Sequence, residues 1–254
     1  MEEAQLVETE EGLALTRGAL TLCADFARLL PRAHPQKIHQ ELLVKAAKIK
    51  GVHPQDLLVV DATAGLGEDS FLLAAAGFNV LMFERDPIIA ALLEDALSRA
   101  TRDERLAAIV ARMTLRKEDS VAALLGSAAE DSAGVGTNSA EVSATGETPA
   151  SALTSAPAAS TPAASVGTLT PDIVFLDPMF PARTKSAAVK KKFQLIHELE
   201  KPCNNEEELL AAALATHPRK VVIKRPPRGP WLAGRKPSYS LTGKAVRYDC
   251  IVNA

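Results

Sequence analysis

The chain has 254 residues, 47% of them hydrophobic, and a formal net charge of -2, which suits one α/β domain with a sizeable core. No stretch approaches the roughly 18 uninterrupted apolar residues of a membrane helix, and the opening MEEAQLVETEEG lacks the basic and apolar regions of a signal peptide. A cytoplasmic protein without membrane contact is expected. The small net charge conceals an asymmetry: residues 1–176 hold 14 Lys/Arg against 24 Asp/Glu, and residues 177–254 hold 15 against 7. A basic C-terminal part points to a polyanionic partner.

In chain order, Leu13, Leu15, Leu20 and Leu22 alternate around Arg17-Gly18 and predict a small hairpin, followed by a helix over 36–50. Residues 1–50 thus read as an N-terminal cap on a main domain spanning 51–254. That domain opens with an apolar run at 57–63 (LLVVDAT), the pattern of a buried parallel strand. A helix over 68–76 stopped by Gly77, a strand at 79–84 (NVLMFE) and a helix opened by Pro87 and running to 100 follow. Further helical segments are expected at 105–112 and 119–125, with a short strand at 113–116 between them.

Composition breaks at 127–170, where 34 of 44 residues are Ala, Ser, Thr, Gly or Pro and none is basic or aromatic. Such a segment buries too little apolar surface to offset its ordering entropy, so a disordered insertion within one domain is expected. The α/β pattern then resumes with a strand ending at Asp177, helices over 187–199 and 205–216, and a strand at 220–224. Segments 239–241 and 246–252 read as a terminal antiparallel pair. Repeated β-α units imply a mainly parallel sheet with helices on both faces.

The turn VVDATAGLGED closes the first β-α unit, where ligands of open parallel sheets bind. Gly65 and Gly67 allow close backbone approach, and Glu84, ending the next strand 19 residues after Gly65, can accept hydrogen bonds from ribose hydroxyls. An adenosine-containing cofactor follows. Asp61, Gly65 and Gly67 form the D-x-x-x-G-x-G pattern of S-adenosylmethionine-dependent methyltransferases. Glu68 and Asp69 at the helix start would repel a pyrophosphate but tolerate a cationic ligand. The expected fold is therefore the Rossmann-like class I methyltransferase fold: a mainly parallel seven-stranded sheet, an antiparallel terminal pair and the N-terminal cap.

The stretch LDPMFP supplies the chemistry. DPMF resembles the [D/N]-P-P-[Y/F] motif of enzymes that methylate planar amino nitrogens, with Met179 at the second proline. Such a nitrogen is a poor nucleophile because its lone pair is delocalised. The Asp177 carboxylate or the Pro178 carbonyl can accept its N–H groups and aim the lone pair at a methyl donor, while Phe180 can stack on the base. No metal is required. Cys23, Cys203 and Cys250 form no CxxC pair and the histidines show no ligand spacing, so reduced thiols and no metal site are expected.

The segments VVDATAGLGEDSFLLAAAGFNVLMFERDPIIAALLEDAL, VFLDPMFPARTKSAAVKK and VVIKRPPRGPWLA resemble the ribosomal RNA small subunit methyltransferase J family. That resemblance implies S-adenosylmethionine-dependent methylation of guanine N2 in 16S rRNA, with cofactor contacts at Glu68-Asp69, Glu84-Arg85, Asp119-Ser120 and Asp177. The chain departs from the family at Glu68, where a basic residue is frequent, and in the 127–170 stretch. An RNA partner, free or within a ribosomal subunit, fits the basic residues after the catalytic motif (Arg183, Lys185, Lys190, Lys191, Lys192) and after the fifth strand (Lys224, Arg225, Arg228, Arg235, Lys236). Two other readings stay open: an amino-group methyltransferase acting on DNA, other RNA or protein glutamine, and a catalytically idle RNA-binding protein of the same fold.

Overall fold

Short β-branched runs make the strands, and alanine- and leucine-rich stretches make the helices that cover them. The computed structural model describes residues 4–133, 169–178 and 205–253. Strands β4 (Leu58–Asp61), β5 (Asn79–Phe83), β6 (Met113–Arg116), β7 (Ile173–Leu176) and β8 (Lys220–Arg225) are parallel. With β9 (Tyr239–Thr242) and β10 (Arg247–Val252) they form a seven-stranded sheet ordered β6-β5-β4-β7-β8-β10-β9. β10 lies antiparallel to both β8 and β9, which gives the expected antiparallel end. Val59 pairs with Val80, Val60 with Val174 and Phe175 with Val222, so the middle of the central register joins apolar residues. β4 and β7 are buried on both faces except at Leu58, as central parallel strands require.

The strand order reverses between β4 and β7. From β4 the chain progresses outward to β5 and β6; after returning to β7 it progresses the other way to β8. A crevice opens at such a switch point beyond the carboxyl ends of the strands.

The N-terminal cap is larger than a hairpin. β1 (Gln5–Thr9) pairs with β2 (Gly12–Arg17), which pairs with β3 (Leu20–Cys23), giving three antiparallel strands. β1 is exposed throughout, so its sequence carries no burial signal. Downstream, the helix expected over 36–50 breaks into a short turn at Ile38–Gln40 and a helix at Leu42–Ala47. The break is at Glu41, whose backbone is extended (ψ 131) and whose carboxylate is held by Arg32 at 3.0 and 2.9 Å. Counting helices along the chain, these are α1 (Leu30–Ala33) and α2 (Leu42–Ala47), followed by α3 (Glu68–Ala75), α4 (Pro87–Ala100), α5 (Ala107–Val110), α6 (Ser120–Ala133) and α7 (Glu206–Ala215).

Two boundaries differ from the sequence reading. The helix expected over 105–112 contracts to α5, because Asp103 holds Arg105 by side chain and backbone and favours a turn there. α6 runs to Ala133, seven residues into the stretch expected to be disordered from 127. Its alanine-rich sequence has the helix propensity to continue. The remainder of that stretch, 134–168, and the helix expected over 187–199 lie outside the described residues.

The cap shares the core of the sheet. Phe26 stacks on Phe71 of α3 with ring centroids 5.0 Å apart and planes 8° from parallel. Leu15 and Leu22 pack with Ile89 and Leu92 of α4. Lys220, 6% exposed at the start of β8, donates to the Ala46 and Lys48 carbonyls at 2.9 and 2.5 Å. A buried ammonium needs such partners, and these two join the far end of the sheet to the C-terminus of α2.

Candidate active site

Asp61 ends β4 and is 1% exposed. Its Oδ2 accepts from the Ser70 hydroxyl at 2.5 Å and its Oδ1 from the Thr63 N–H at 3.1 Å. Burial pushes the carboxyl up to about 7, with these two bonds opposing the rise. Asp61 therefore ties the strand end to the first turn of α3. Between them Gly65 and Gly67 adopt left-handed conformations, φ 54 and 75. A Cβ on Gly67 would lie 2.7 Å from Leu93 Cδ1, whereas one on Gly65 would meet nothing within 4 Å.

Glu84 braces the same turn. Its Oε2 accepts from the Gly65 N–H at 2.9 Å and its Oε1 from the Asp86 N–H at 2.8 Å. At 8% exposure its carboxyl is pushed up by burial, opposed by those backbone donors. The sequence assigns Glu84 to ribose hydroxyls alone; the structure adds a structural duty. An ionised carboxylate has about four acceptor positions, so further donors can still be met.

On the other side of the switch point, β7 delivers Asp177 and Pro178. The Asp177 N–H donates to Thr63 Oγ1 at 2.7 Å, which fixes the two strand-end turns against each other. Lys224 of β8 reaches between them: its Nζ is 2.7 Å from Asp177 Oδ2 and 2.5 Å from Asp69 Oδ2. Burial works against the Lys224 charge, but Asp177 and Asp69 outweigh it and hold the ammonium above its ordinary range. Burial likewise pushes the Asp177 carboxyl up, with Lys224 opposing and the Asp69 charge adding to the rise.

A cavity of about 340 Å³ lies over these groups. Its floor is Asp61, Thr63, Ala64, Gly65, Phe175, Asp177 and Lys224. α3 contributes Glu68 and Asp69, and Tyr248 of β10 closes one flank. Leu22, Cys23, Asp25, Arg28 and Arg32 of the cap form the opposite wall. The cavity thus offers carboxylates for a cationic group and guanidinium donors for an anionic one. That donor set fits the zwitterionic amino-acid end and the sulfonium of S-adenosylmethionine.

Of the residues singled out from sequence, Asp61, Gly65, Glu68, Asp69, Asp177 and Lys224 meet in this cavity. Gly67 caps α3, and Pro178 is buried behind Asp177. Glu84 and Arg85 follow β5, while Asp119 and Ser120 follow β6, so all four lie along the neighbouring strand ends outside the cavity wall. Arg85 pairs with Asp119 at 3.2 Å, and Asp119 also caps α6 through the Val121 and Ala122 N–H groups. Phe180, Arg183, Lys185, Lys190, Lys191 and Lys192 lie outside the described residues.

Two assignments to an RNA surface need correction. Lys224 points into the cavity, committed to Asp69 and Asp177. Arg225 is 2% exposed; it donates to the Pro230 carbonyl at 2.8 Å and pairs with Glu206 at 3.4 Å. In a strand, adjacent residues face opposite sides of the sheet, so one enters the site and the other the opposite core. The sequence reading also overlooked Thr63, Tyr248 and the cap arginines. Thr63 was the readable one, since it lies inside the motif; the others reach the site only through long-range packing.

A family described as "Putative SAM-dependent methyltransferase" matches residues 2–135 and 140–253. The chain belongs to this family. A Pseudomonas fluorescens protein named "Ribosomal RNA small subunit methyltransferase J" is 38% identical over 210 residues, 82% of this chain and 65% of its own. The Pseudomonas paraeruginosa protein of that name is 41% identical over 82% of this chain and 64% of its own length. One from Thioalkalivibrio sulfidiphilus is 39% identical over 85% of this chain and 69% of its own. The chain spans just under two thirds of the length of the two Pseudomonas relatives. The crystal structure of a SAM-dependent methyltransferase from Neisseria gonorrhoeae superposes with a TM-score of 0.66 at 28% identity, covering 99% of this chain and 83% of that one. The sheet order and the placement of the cavity at the switch point are those of the class I methyltransferase fold.

Proposed function

We propose that this methyltransferase-family chain methylates the exocyclic N2 of a guanine in small-subunit (16S) rRNA. The observation that carries the reading is the placement of Asp177 beside the glycine turn of β4 in one cavity. The names of the relatives supply the substrate class. S-adenosylmethionine, when bound, supplies an electrophilic methyl group on a sulfonium.

The residues of the chain do the rest. Glu68, Asp69 and the Gly65 turn would hold the amino-acid end, and Arg28 and Arg32, which line the same cavity while paired to Asp25 and Glu41, would lend positive charge to its carboxylate. Glu84, Arg85, Asp119 and Ser120, along the next two strand ends, would hold the adenosine. Asp177 accepts an N–H of the guanine amino group, which favours a more tetrahedral nitrogen and aims its lone pair. Lys224 opposes the rise that burial imposes on the Asp177 carboxyl, and Thr63 keeps it in place. The N-terminal cap covers the cavity and limits water around these charges, which strengthens them. After transfer, Asp177 is the group positioned to take the proton that the methylated nitrogen sheds.

The test is a labelled-methyl assay on small ribosomal subunits, naked 16S rRNA, DNA and protein. Label is expected in rRNA as N2-methylguanine, and Asp177→Asn is expected to lower turnover at least about a hundredfold. Label confined to DNA or protein would replace the substrate, and no transfer to any of the four would leave an idle binding protein. Wild-type turnover in Asp177→Asn would remove DPMF from the mechanism.

A further inference from the structure

Residues 224–248 hold seven Lys/Arg and no Asp/Glu. The structure uses three of the seven internally. Lys224 joins the cavity, Arg225 is buried, and Arg247 is bound in two places to Asp249, each at 2.8 Å. Arg228, Arg235 and Lys236 are exposed on the loop that leaves β8, and Lys244 is exposed on the turn before β10. In the same loop Trp231 is 42% exposed, while its neighbour Leu232 is 1% exposed and packed into the core.

This loop is held rigid from beneath. Arg225 Nε donates to the Pro230 carbonyl at 2.8 Å, and Arg247 Nη1 donates to the Pro227 and Gly229 carbonyls, each at 3.1 Å. The Gly229 N–H closes a turn on the Pro226 carbonyl at 2.9 Å. Prolines at 226, 227, 230 and 237 fix φ along it. The two inward arginines thus donate to carbonyls of the loop as well as pairing with Glu206 and Asp249, and the outward residues are an aromatic plane with cations on both sides of it in sequence. A surface already ordered loses little entropy on binding. The location is also specific. β8 pairs with β7 through Leu176 and Ile223, so the loop starts at the strand end beside Asp177.

We propose that the loop 226–237 is a docking platform for single-stranded RNA next to the target base, with Trp231 stacking on a base and Arg228, Arg235 and Lys236 contacting phosphates. Aromatic stacking combined with a basic track is how proteins hold single strands with little sequence preference. The proposal rests on the rRNA reading above and names the surface that reading requires. It keeps the RNA contacts read from sequence at Arg228, Arg235 and Lys236, withdraws those at Lys224 and Arg225, and adds the stacking plane of Trp231.

Trp231 is the only tryptophan of the chain, so its fluorescence reports the contact directly. Titration of the full-length protein with a single-stranded 16S rRNA fragment is expected to quench it. Affinity, measured by anisotropy of labelled RNA, is expected to fall about tenfold in Trp231→Ala and much less in Trp231→Phe, which keeps a stacking ring. In the triple variant R228Q/R235Q/K236Q the slope of log affinity against log salt should flatten by about 2, at roughly 0.7 per lost phosphate contact. Both changes should raise KM for rRNA while leaving S-adenosylmethionine affinity and the melting temperature in place. If wild type binds RNA but neither the quench nor the slope appears and the variants match it, the platform is refuted. If wild type neither binds nor methylates RNA, the rRNA reading fails first. Weakened binding to assembled subunits with unchanged binding to naked rRNA would assign the loop to a ribosomal protein and overturn the proposal.

Discussion

Replacing Lys224 by Met leaves two carboxylates facing each other without their shared cation. Both bond the same Nζ, at 2.5 and 2.7 Å, so their acceptor oxygens lie no more than about 5 Å apart. Their repulsion is present with or without Lys224; the substitution removes the attraction of the ammonium 2.7 Å from Asp177, roughly 6 kcal/mol at an effective dielectric of about 20 before screening. The Asp177 side chain is 34% exposed, so solvent screening reduces this, and about 1.5 kcal/mol, or roughly one pKa unit, is expected. The direction follows from the charge. Lys224 opposes the rise of the Asp177 carboxyl, so without the ammonium Asp177 binds a proton more readily and holds it to higher pH. A protonated Asp177 accepts the amino N–H poorly. The acid limb of the kcat/KM profile should therefore move up by about one unit in Lys224→Met, with activity recovering as pH rises. Lys224→Arg, which keeps the charge, should retain the wild-type limb. The assay is labelled-methyl transfer to rRNA across pH 5.5 to 9. A Lys224→Met profile that is uniformly lower but has its acid limb unmoved would show that Lys224 acts through packing, and the electrostatic argument would fail.

Two further outcomes are expected. The Asp61 carboxyl is held up at about 7 in the folded protein against an ordinary 3.8, so the native state binds its proton more tightly than the unfolded chain does. Its contribution to stability is fully present below about pH 4 and is lost as pH rises through 7; Asp61→Asn removes that loss, and urea denaturation at pH 5 and pH 8 should show the wild type losing up to a few kcal/mol that the variant keeps. Parallel pH dependences would contradict it. Gly67→Ala should destabilise more than Gly65→Ala. Both incur about 1–2 kcal/mol for a left-handed alanine, but only the first drives a Cβ to 2.7 Å from Leu93. A reversed order in denaturant midpoints would mean the turn relaxes in some other way.

The sheet and the site were legible to different depths. Val59-Val60, Val80 to Phe83 and Ile173 to Leu176 are apolar runs bounded by turns, and in a parallel sheet burial leaves little choice of strand. Asp61, Gly65 and Asp177 were legible because each lies at a strand end, where chemistry and chain order coincide. Lys224 was not. In VVIKRPPRG it is one basic residue among several, and its two partners lie 155 and 47 residues away. Strand β1 was hidden for the opposite reason, since an exposed strand leaves no apolar alternation to read. The cap wall of the cavity depends on Phe26 meeting Phe71 and on Lys220 meeting α2, contacts that no local pattern encodes.

The anchors of the crossover between α6 and β7 bear on how such a protein can change over generations. α6 starts at the carboxyl end of β6 and runs back to Ala133, and the described chain resumes at Leu169, just ahead of the amino end of β7. Both anchors therefore belong to the rim of the sheet opposite Asp177. Residues can be gained or lost between them without moving a strand end that faces the cavity, and joining the two anchors costs only slightly more as the connection lengthens. Changes of length between these two anchors are therefore expected to spare the site, whereas a single inserted residue between Asp61 and Gly67, or after Leu176, would shift a reacting group by an entire residue step.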